Sequence, residues 1–445
     1  MLEGTIVAIS TSTMGIGAIS IVRLSGDKAV EIADKIMSID LLNVKSRVMS
    51  HAFLHVAGDS GQIIDDGLVV VFRAPNSFTK EDVVEVNCHG GMMSANTLVE
   101  ELIKCGARMA EAGEFSMRAF VNGSIMLTQA EAIDNIIHSK TKTALLSAAN
   151  NLSGGLSLKI RNIRQTLVDI SAHILAIMDF PDEGVDEISQ HKTIETIEQV
   201  EQEIRGLIDN ADKGIIINNG LNVAIIGSPN VGKSSLLNAL LQDERAIVTD
   251  AAGTTRDVIC EQANIGGALI NFADTAGVRG ETDDEIEKIG IDRTKKKAMS
   301  ADLILKLFDY SSTAYDEEIL NLAADIPHII VASKSDLPKK LELAYDIKIS
   351  TKNGEGLDDL QKMIAEFAPS ADLNDSPVAN TRQKAKLLQA LPCVSNLLDM
   401  LKNDATLDCV TVELEGAITQ LGEIIGENVS DDIVTSIFSN FCVGK

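Results

Sequence analysis

The spacing of apolar residues changes along the chain. From residue 1 to about 121, short apolar runs at Thr5–Ile9, Ile19–Leu24, Leu68–Phe72 and Val83–Asn87 read as strands, being rich in β-branched residues and too short for helices. Three- and four-residue spacing predicts helices near Lys28–Met37 and Met93–Cys105. An α+β module is expected. From about 125 to 213 the strand signals stop, and Ile160, Ile163, Leu167, Ile170, Ile174 and Ile177 fall on one side of a long helix. From 216 to about 376, β-rich runs at Leu221–Ile226, Ala268–Ala273, Leu303–Phe308 and His328–Ala332 alternate with helical stretches, the pattern of a doubly wound, mostly parallel sheet. After a polar break around Pro369–Pro377, helical spacing returns, and Leu414, Ala417, Leu421 and Ile424 form a stripe that predicts packing on other helices.

The 445 residues allow about three domains at roughly 150 residues each. The simplest arrangement is an N-terminal α+β domain over 1–121 and a helical domain in two parts, 122–215 and 377–445, with an α/β domain over 216–376 inserted between them. No apolar run approaches the roughly 18 to 20 residues that a membrane span needs, so none is expected. Met1-Leu2-Glu3-Gly4 opens no basic and then apolar leader, so the expected location is the cytoplasm. Cys88, Cys105, Cys260, Cys393, Cys409 and Cys442 are scattered without a C-x-x-C pair, which suggests neither a disulfide framework nor a zinc site. Charge is more restrictive. With 39 Lys+Arg against 65 Asp+Glu the net charge is -26, and no segment is basic. Zero Trp and three Tyr leave little for base stacking. Unaided, non-specific grip on nucleic acid is disfavoured, and an RNA substrate would need a partner for much of its hold.

The inserted domain carries the strongest chemical signal. Gly227-Ser228-Pro229-Asn230-Val231-Gly232-Lys233-Ser234 fits G-x-x-x-x-G-K-S, follows a strand and opens a helix at Ser235. Glycines let backbone N–H groups converge on phosphate oxygens, Lys233 reaches the β- and γ-phosphates, and Ser234 offers a hydroxyl to Mg2+. Asp274-Thr275-Ala276-Gly277 ends a later strand, where Asp274 can hold Mg2+ through water and the Gly277 N–H can meet the γ-phosphate. Thr254 and Thr255 lie in the intervening loop, Thr255 as a further Mg2+ ligand. Ser333-Lys334-Ser335-Asp336 resembles the N-K-x-D element, whose Asp accepts two hydrogen bonds from guanine. Ser333 stands where Asn is usual, so a contact between base loop and phosphate loop is expected to be shortened or missing, with weaker nucleotide binding. Ser350-Thr351-Lys352 resembles the last base-contacting element.

Ras-like enzymes place a Gln directly after D-x-A-G to orient the attacking water, and this chain has Val278. Glu287 is the candidate replacement, since a carboxylate can orient water; an exposed charge in the acidic run 281–287 is the plainer alternative. Positive charge at the phosphates can come from Arg256 or Arg279, or from a monovalent cation bound by Asn230 and oxygens of the Thr249–Thr254 loop.

Together, the phosphate loop, the stretch Thr249-Asp250-Ala251-Ala252-Gly253-Thr254-Thr255-Arg256-Asp257 and the terminal Phe441-Cys442-Val443-Gly444-Lys445 resemble the MnmE (TrmE) family of tRNA-modification GTPases. Ala74-Pro75-Asn76-Ser77-Phe78-Thr79, His89-Gly90-Gly91, Gly113-Glu114-Phe115-Ser116, Gln129-Ala130-Glu131-Ala132 and Met178-Asp179-Phe180-Pro181 also match it, in order across the chain. The resemblance implies a homodimer joined through N-terminal folate-binding domains, with G domains that pair across a cleft. It implies that K+, held by Asn230, Thr249, the Ala251 backbone and Thr254, promotes GTP hydrolysis. Ser234 and Thr255 would hold Mg2+, and Glu287 would orient the water. It further implies work with the flavoprotein MnmG, in a heterotetramer or larger complex, at C5 of the wobble uridine of certain tRNAs. The product would be a carboxymethylaminomethyl or aminomethyl uridine, with 5-formyl- or methylene-tetrahydrofolate as carbon donor.

For folate, the matching positions are Arg23, Glu85 and Lys445, whose charges suit the glutamate tail and the pterin N–H groups. Ser124 stands where the family usually has Lys, so one cationic contact is lost unless another basic residue replaces it. The resemblance also places the C-terminal tail in the folate pocket, with Cys442 as a candidate nucleophile or proton relay; a frayed end with a half-buried thiol is the plainer alternative. Two rival classes remain in view. A ribosome-assembly GTPase switch would share the G motifs but would be expected to carry a basic RNA-binding domain, and a folate-dependent aminomethyltransferase would leave the phosphate loop unused.

Overall fold

The computed structural model describes residues 3–11, 17–179, 190–242, 260–273, 298–369, 379–403, 405–439 and 441–445. They form two compact units. The first comprises Met1–Asp134, Ile160–Arg164 and Ile418–Lys445; the second comprises Asn135–Lys159 and Gln165–Ala417.

The first unit is built on a six-stranded sheet of β1 (Ile6–Ile9), β2 (Ile19–Ser25), β3 (Ser50–Val56), β4 (Asp59–Phe72), β5 (Val83–His89) and β6 (Arg108–Met109), in the order β3-β4-β5-β2-β1-β6. All its pairings are antiparallel except that of β1 with β6. Alternate residues Val22 and Leu24, Val69 and Val71, and Val84 and Val86 share one face. They bury their side chains with Leu98 and Leu102 of the helix Met92–Lys104. The four expected strands are present. β3 and the first half of β4 were not expected, because β3 buries only Ala52 and Leu54 and interleaves His51, Phe53 and His55, hiding the alternation. The helix expected near Lys28–Met37 spans only Ala29–Asp34, since the Asp34 carboxylate accepts from the Leu41 N–H at 2.7 Å and the chain turns there.

The helix Glu114–Val121 is anchored by buried charge. Glu114 accepts from both Arg108 and Arg118, and Arg118, 2% exposed, also reaches Glu81 at 3.1 Å. Close by, Leu127 and Ala130 pack with Val434, Phe438 and Phe441 from the chain's end.

The second unit carries β7 (Leu221–Gly227), β8 (Cys260–Ile265), β9 (Ala268–Ala273), β10 (Leu303–Asp309), β11 (His328–Ser333) and β12 (Ile347–Lys348) in the order β12-β11-β10-β7-β9-β8. Every pairing is parallel except that of edge strand β8 with β9, so the sheet is mostly parallel and doubly wound, as the sequence implies. β8 is polar and was not foreseen. Leu236 and Leu240 of the helix Lys233–Gln242, and Leu360 and Ile364 of the helix Leu357–Glu366, cover the sheet. The helices Gln190–Asn219 and Thr381–Lys402, which flank this segment in the sequence, pack on each other. Lys402 pairs with Glu198 at 2.8 Å, and the Ser395 hydroxyl donates to Glu201 at 2.6 Å.

Of the six positions forming the stripe in the helix Gly155–Asp179, Ile160, Ile163, Leu167, Ile170 and Ile174 are buried and Ile177 is half-buried; Leu414, Ala417, Leu421 and Ile424 are all fully buried. Among the described residues, no helix is long and apolar enough to cross a membrane.

Candidate functional site

The phosphate loop runs from the end of β7 into the helix that begins at Lys233. Gly227 has no room for a side chain, since a Cβ there would lie 2.7 Å from the Leu307 carbonyl. Asn230 and Gly232 take left-handed backbone angles, φ 61° and 105°, which Asn and Gly tolerate best. The Lys233 ammonium lies over the loop and donates to the carbonyls of Gly227 and Ser228, each at 2.8 Å. Burial pushes its pKa down. Ser234 and Ser235 stand exposed on the first turn of the helix, where unpaired N–H groups favour an anion.

Ser333, at the end of β11, corrects an expectation. Its hydroxyl lies 2.6 Å from the Val231 carbonyl of the phosphate loop, to which it donates, and 3.1 Å from the Phe308 carbonyl. The tie between base loop and phosphate loop is therefore made, because the backbones approach closely enough for the shorter side chain. Lys334 follows at φ 63° and pairs with Asp309 at 2.7 Å. Burial alone would raise the Asp309 pKa, but the hydrogen bonds from Lys334 and Ser311 hold it below the usual carboxylate range.

Asp336 is oriented by the Ser350 hydroxyl, which donates to Oδ1 at 2.9 Å, and the Lys352 N–H donates to the same hydroxyl oxygen at 3.3 Å. Thr351 sits half-buried between them. The base-reading segments at 333–336 and 350–352 are thus one hydrogen-bonded unit. Thr249, Asp250, Ala251, Ala252, Gly253, Thr254, Thr255, Arg256, Asp274, Thr275, Ala276, Gly277, Arg279 and Glu287 lie outside the described residues.

A second group of expected residues gathers on the first unit. Arg23 and Glu85 stand opposite each other on β2 and β5 and form an ion pair at 2.8 Å, partly exposed. The guanidinium lies 5.7 Å from the centre of the Phe115 ring. The C-terminal tail docks on the same unit. Phe441 is buried, Val443 bridges to Ala112, and the Ser10 hydroxyl donates to the Gly444 carbonyl at 3.1 Å. Gly444 has φ 94°, and a Cβ there would lie 2.3 Å from the Ile9 carbonyl, so only glycine fits. Cys442 is exposed, its carbonyl accepting from Gly113 at 3.4 Å, and Lys445 is half-exposed.

Ser124 ends a turn in which its N–H donates to the Ala119 carbonyl, and the Lys80 ammonium donates to the neighbouring Gly123 carbonyl at 2.8 Å. Lys80 and Phe115 were not singled out from sequence. Phe115 lies in a quoted motif without a sign that it underlies Arg23, and Lys80 is 44 positions from Ser124.

A model of the MnmE helical domain matches residues 127–442, and a model of the GTP-binding protein TrmE N-terminus matches residues 5–124. The tRNA modification GTPase MnmE of Thermoanaerobacter pseudethanolicus is 41% identical over the full length of both chains. The chain belongs to the MnmE family of tRNA modification GTPases. MnmE proteins of Lactobacillus acidophilus and Enterococcus faecalis are also 41% identical, each over 99% of this chain and 98% of theirs. Among solved structures, the G domain of the T. maritima FeoB iron transporter aligns with 34% of this chain and 99% of that domain, at 30% identity and a TM-score of 0.25, too loose a superposition to bear an argument. Family membership makes this chain a GTPase of tRNA modification.

Proposed function

We propose that this MnmE-family chain is a K+-stimulated GTPase that, as a homodimer with the flavoprotein MnmG, modifies C5 of the tRNA wobble uridine with a folate one-carbon unit. The residue ranges 1–121, 122–215 with 377–445, and 216–376 would be its folate, helical and GTPase domains. The observation that carries the reading is the coexistence of an assembled phosphate and base loop in one unit with a docked tail and the Arg23–Glu85 pair in the other.

In the GTPase half, Lys233 exchanges its carbonyl partners for phosphate oxygens, and the Val231 and Gly232 N–H groups complete the cradle with Asn230. Asp336 pairs with the guanine, already aimed by Ser350. Ser234 and Thr255 hold Mg2+, which neutralises phosphate charge. Asn230, Thr249, Ala251 and Thr254 hold K+, and Glu287 orients the attacking water. Ser234 and Asn230 are exposed at the helix entrance, which suits both ion sets.

In the other half, Arg23, Glu85 and Lys445 bind the reduced folate. The partly exposed Arg23–Glu85 pair offers a donor fork and an acceptor side by side, and Lys80 supplies a cation next to Ser124, where the family has Lys. Cys442, exposed on the docked tail, is available as nucleophile or proton relay. The tRNA is held mainly by the partner, consistent with the net charge of -26.

The salt dependence of turnover tests the GTPase mechanism. GTP hydrolysis is expected to be much faster in KCl than in NaCl at equal ionic strength, and Asn230→Ala to flatten the difference. Equal rates in the two salts would move the positive charge to Arg256 or Arg279.

A further inference from the structure

Asp65, Asp66 and His89 form a cluster on the first unit that belongs neither to the phosphate loop nor to the Arg23–Glu85 pair. Asp65 and Asp66 lie in β4 where its pairing with β3 slips: Leu54 opposes Asp65, but His55 opposes Ile63. Successive strand residues ordinarily point to opposite faces. Beside this irregularity both carboxylates turn toward one imidazole, as bulges permit. His89 Nδ1 is 2.7 Å from Asp65 Oδ1 and 4.0 Å from Asp66 Oδ1.

One donor atom from each of the three residues lies within 4.8 Å of the other two. A cation about 2.0 to 2.2 Å from each of its nitrogen and oxygen ligands needs donors no more than about 4.4 Å apart. The cluster therefore closes on an ion with shifts of a few tenths of an ångström, which Asp66, 49% exposed, and His89, 71% exposed, are free to make.

A second imidazole stands beside Asp66, outside the three-donor cluster. His51, from β3, has Nε2 3.1 Å from Asp66 Oδ2. Asp65 is also braced from behind: the Ser94 hydroxyl and the His89 backbone N–H, the latter at 3.1 Å, both donate to Oδ2. Oδ1 accepts from the Asp66 backbone N–H at 2.8 Å and also faces the imidazole. Asp65 is largely buried, at 10% exposure, so its direction is set by the fold rather than by solvent. Metal-binding side chains are characteristically held in this way by hydrogen bonds on their far side.

We propose that Asp65, Asp66 and His89, with His51 positioning Asp66, form a binding site for a divalent transition-metal cation. Mixed carboxylate and imidazole donors suit Zn2+, Mn2+, Fe2+ or Co2+ better than Ca2+ or Mg2+, which prefer all-oxygen shells. No thiolate is among the donors. Exposure of His89 and Asp66 leaves room for water to complete the coordination.

Co2+ titrated into the nucleotide-free, chelator-treated full chain tests the site, with visible absorption as the readout and calorimetric titration of Zn2+ alongside. One ion per chain is expected here, with d–d bands that differ in position and strength from those of hydrated Co2+ and no thiolate charge-transfer band. Asp66→Asn and His89→Ala are each expected to remove the bands and weaken Zn2+ at this site by at least about tenfold, and Ser94→Ala to weaken it less. Circular dichroism verifies that the variants are folded; both altered side chains are exposed, and His51→Ala gives a second route should either variant unfold. Absence of the d–d bands in the wild-type chain would overturn the proposal and leave the cluster as a set of hydrogen-bonded ion pairs. So would bands and affinity unchanged in folded Asp66→Asn and His89→Ala.

Discussion

Removing one oxygen atom, in Ser333→Ala, tests how the base loop and the phosphate loop act together. The Ser333 hydroxyl is buried, with 4% of the residue exposed, and its 2.6 Å bond to the Val231 carbonyl fixes the phosphate loop against the end of β11. An ordinary hydrogen bond contributes about 0.5 to 1.5 kcal/mol net, and a buried acceptor left without its donor costs about 1 to 3 kcal/mol. If about 1 to 2 kcal/mol of this is felt in the nucleotide-bound state, GTP and GDP affinity should fall roughly five- to thirtyfold. Equilibrium titration with a fluorescent guanine nucleotide measures it. Ser333→Asn is expected to bring no gain, because the bond is already made and the larger amide must enter a filled site. Wild-type affinity in Ser333→Ala would refute the idea that this contact couples the two loops.

Gly444→Ala places a Cβ 2.3 Å from the Ile9 carbonyl at a left-handed backbone position, so the tail should undock; faster proteolysis of the C-terminus and weaker reduced-folate binding are expected, with GTP turnover retained. Lys80→Ala should weaken reduced folate by roughly tenfold, the scale of one charge-assisted contact, in a calorimetric titration; unchanged affinity would mean that Lys80 does not stand in for the cation lost at Ser124. Burial pushes the Glu114 carboxyl up, but its bonds to Arg108, Glu111 N–H and Arg118 hold it below its ordinary value. Its stabilising effect is therefore complete above the unfolded value, about 4.3, and lost as pH falls through the lower folded value. Thermal melting against pH should show an acid-side loss that Glu114→Gln flattens, and identical slopes would remove Glu114 from the account.

What could be read in advance follows from how each signal is written in the chain. Strands buried on both faces, such as Val223–Ile226 of β7, are continuous apolar runs, and the helical stripe Leu414, Ala417, Leu421 and Ile424 buries every member, so both were visible in the spacing. β3 and β8 were not: β3 buries Ala52 and Leu54 but exposes Phe53 between them, and in β8 Ala263 and Ile265 stand among Glu261, Gln262 and Asn264, too short an apolar signal to mark a strand. The phosphate loop was legible because its glycines and Lys233 are contiguous. The Ser333 contact was misjudged, since residue type alone does not give the distance between β11 and the phosphate loop. Lys80 beside Gly123, and Phe115 beneath Arg23, were invisible for the same reason: tertiary packing, not local pattern, brings them together.

The central claim, that GTP turnover and the folate-binding unit serve one modification of the wobble uridine, is tested most directly by mass-spectrometric nucleoside analysis of tRNA. Cells lacking this protein are compared with cells carrying the wild-type chain, Lys233→Ala or a chain ending before Asn440. The C5-aminomethyl-type wobble uridine is expected with the wild-type chain alone, and is expected to be missing from the deletion and from both variants, even though the shortened chain still hydrolyses GTP. Undiminished modified uridine in the deletion strain would contradict the account.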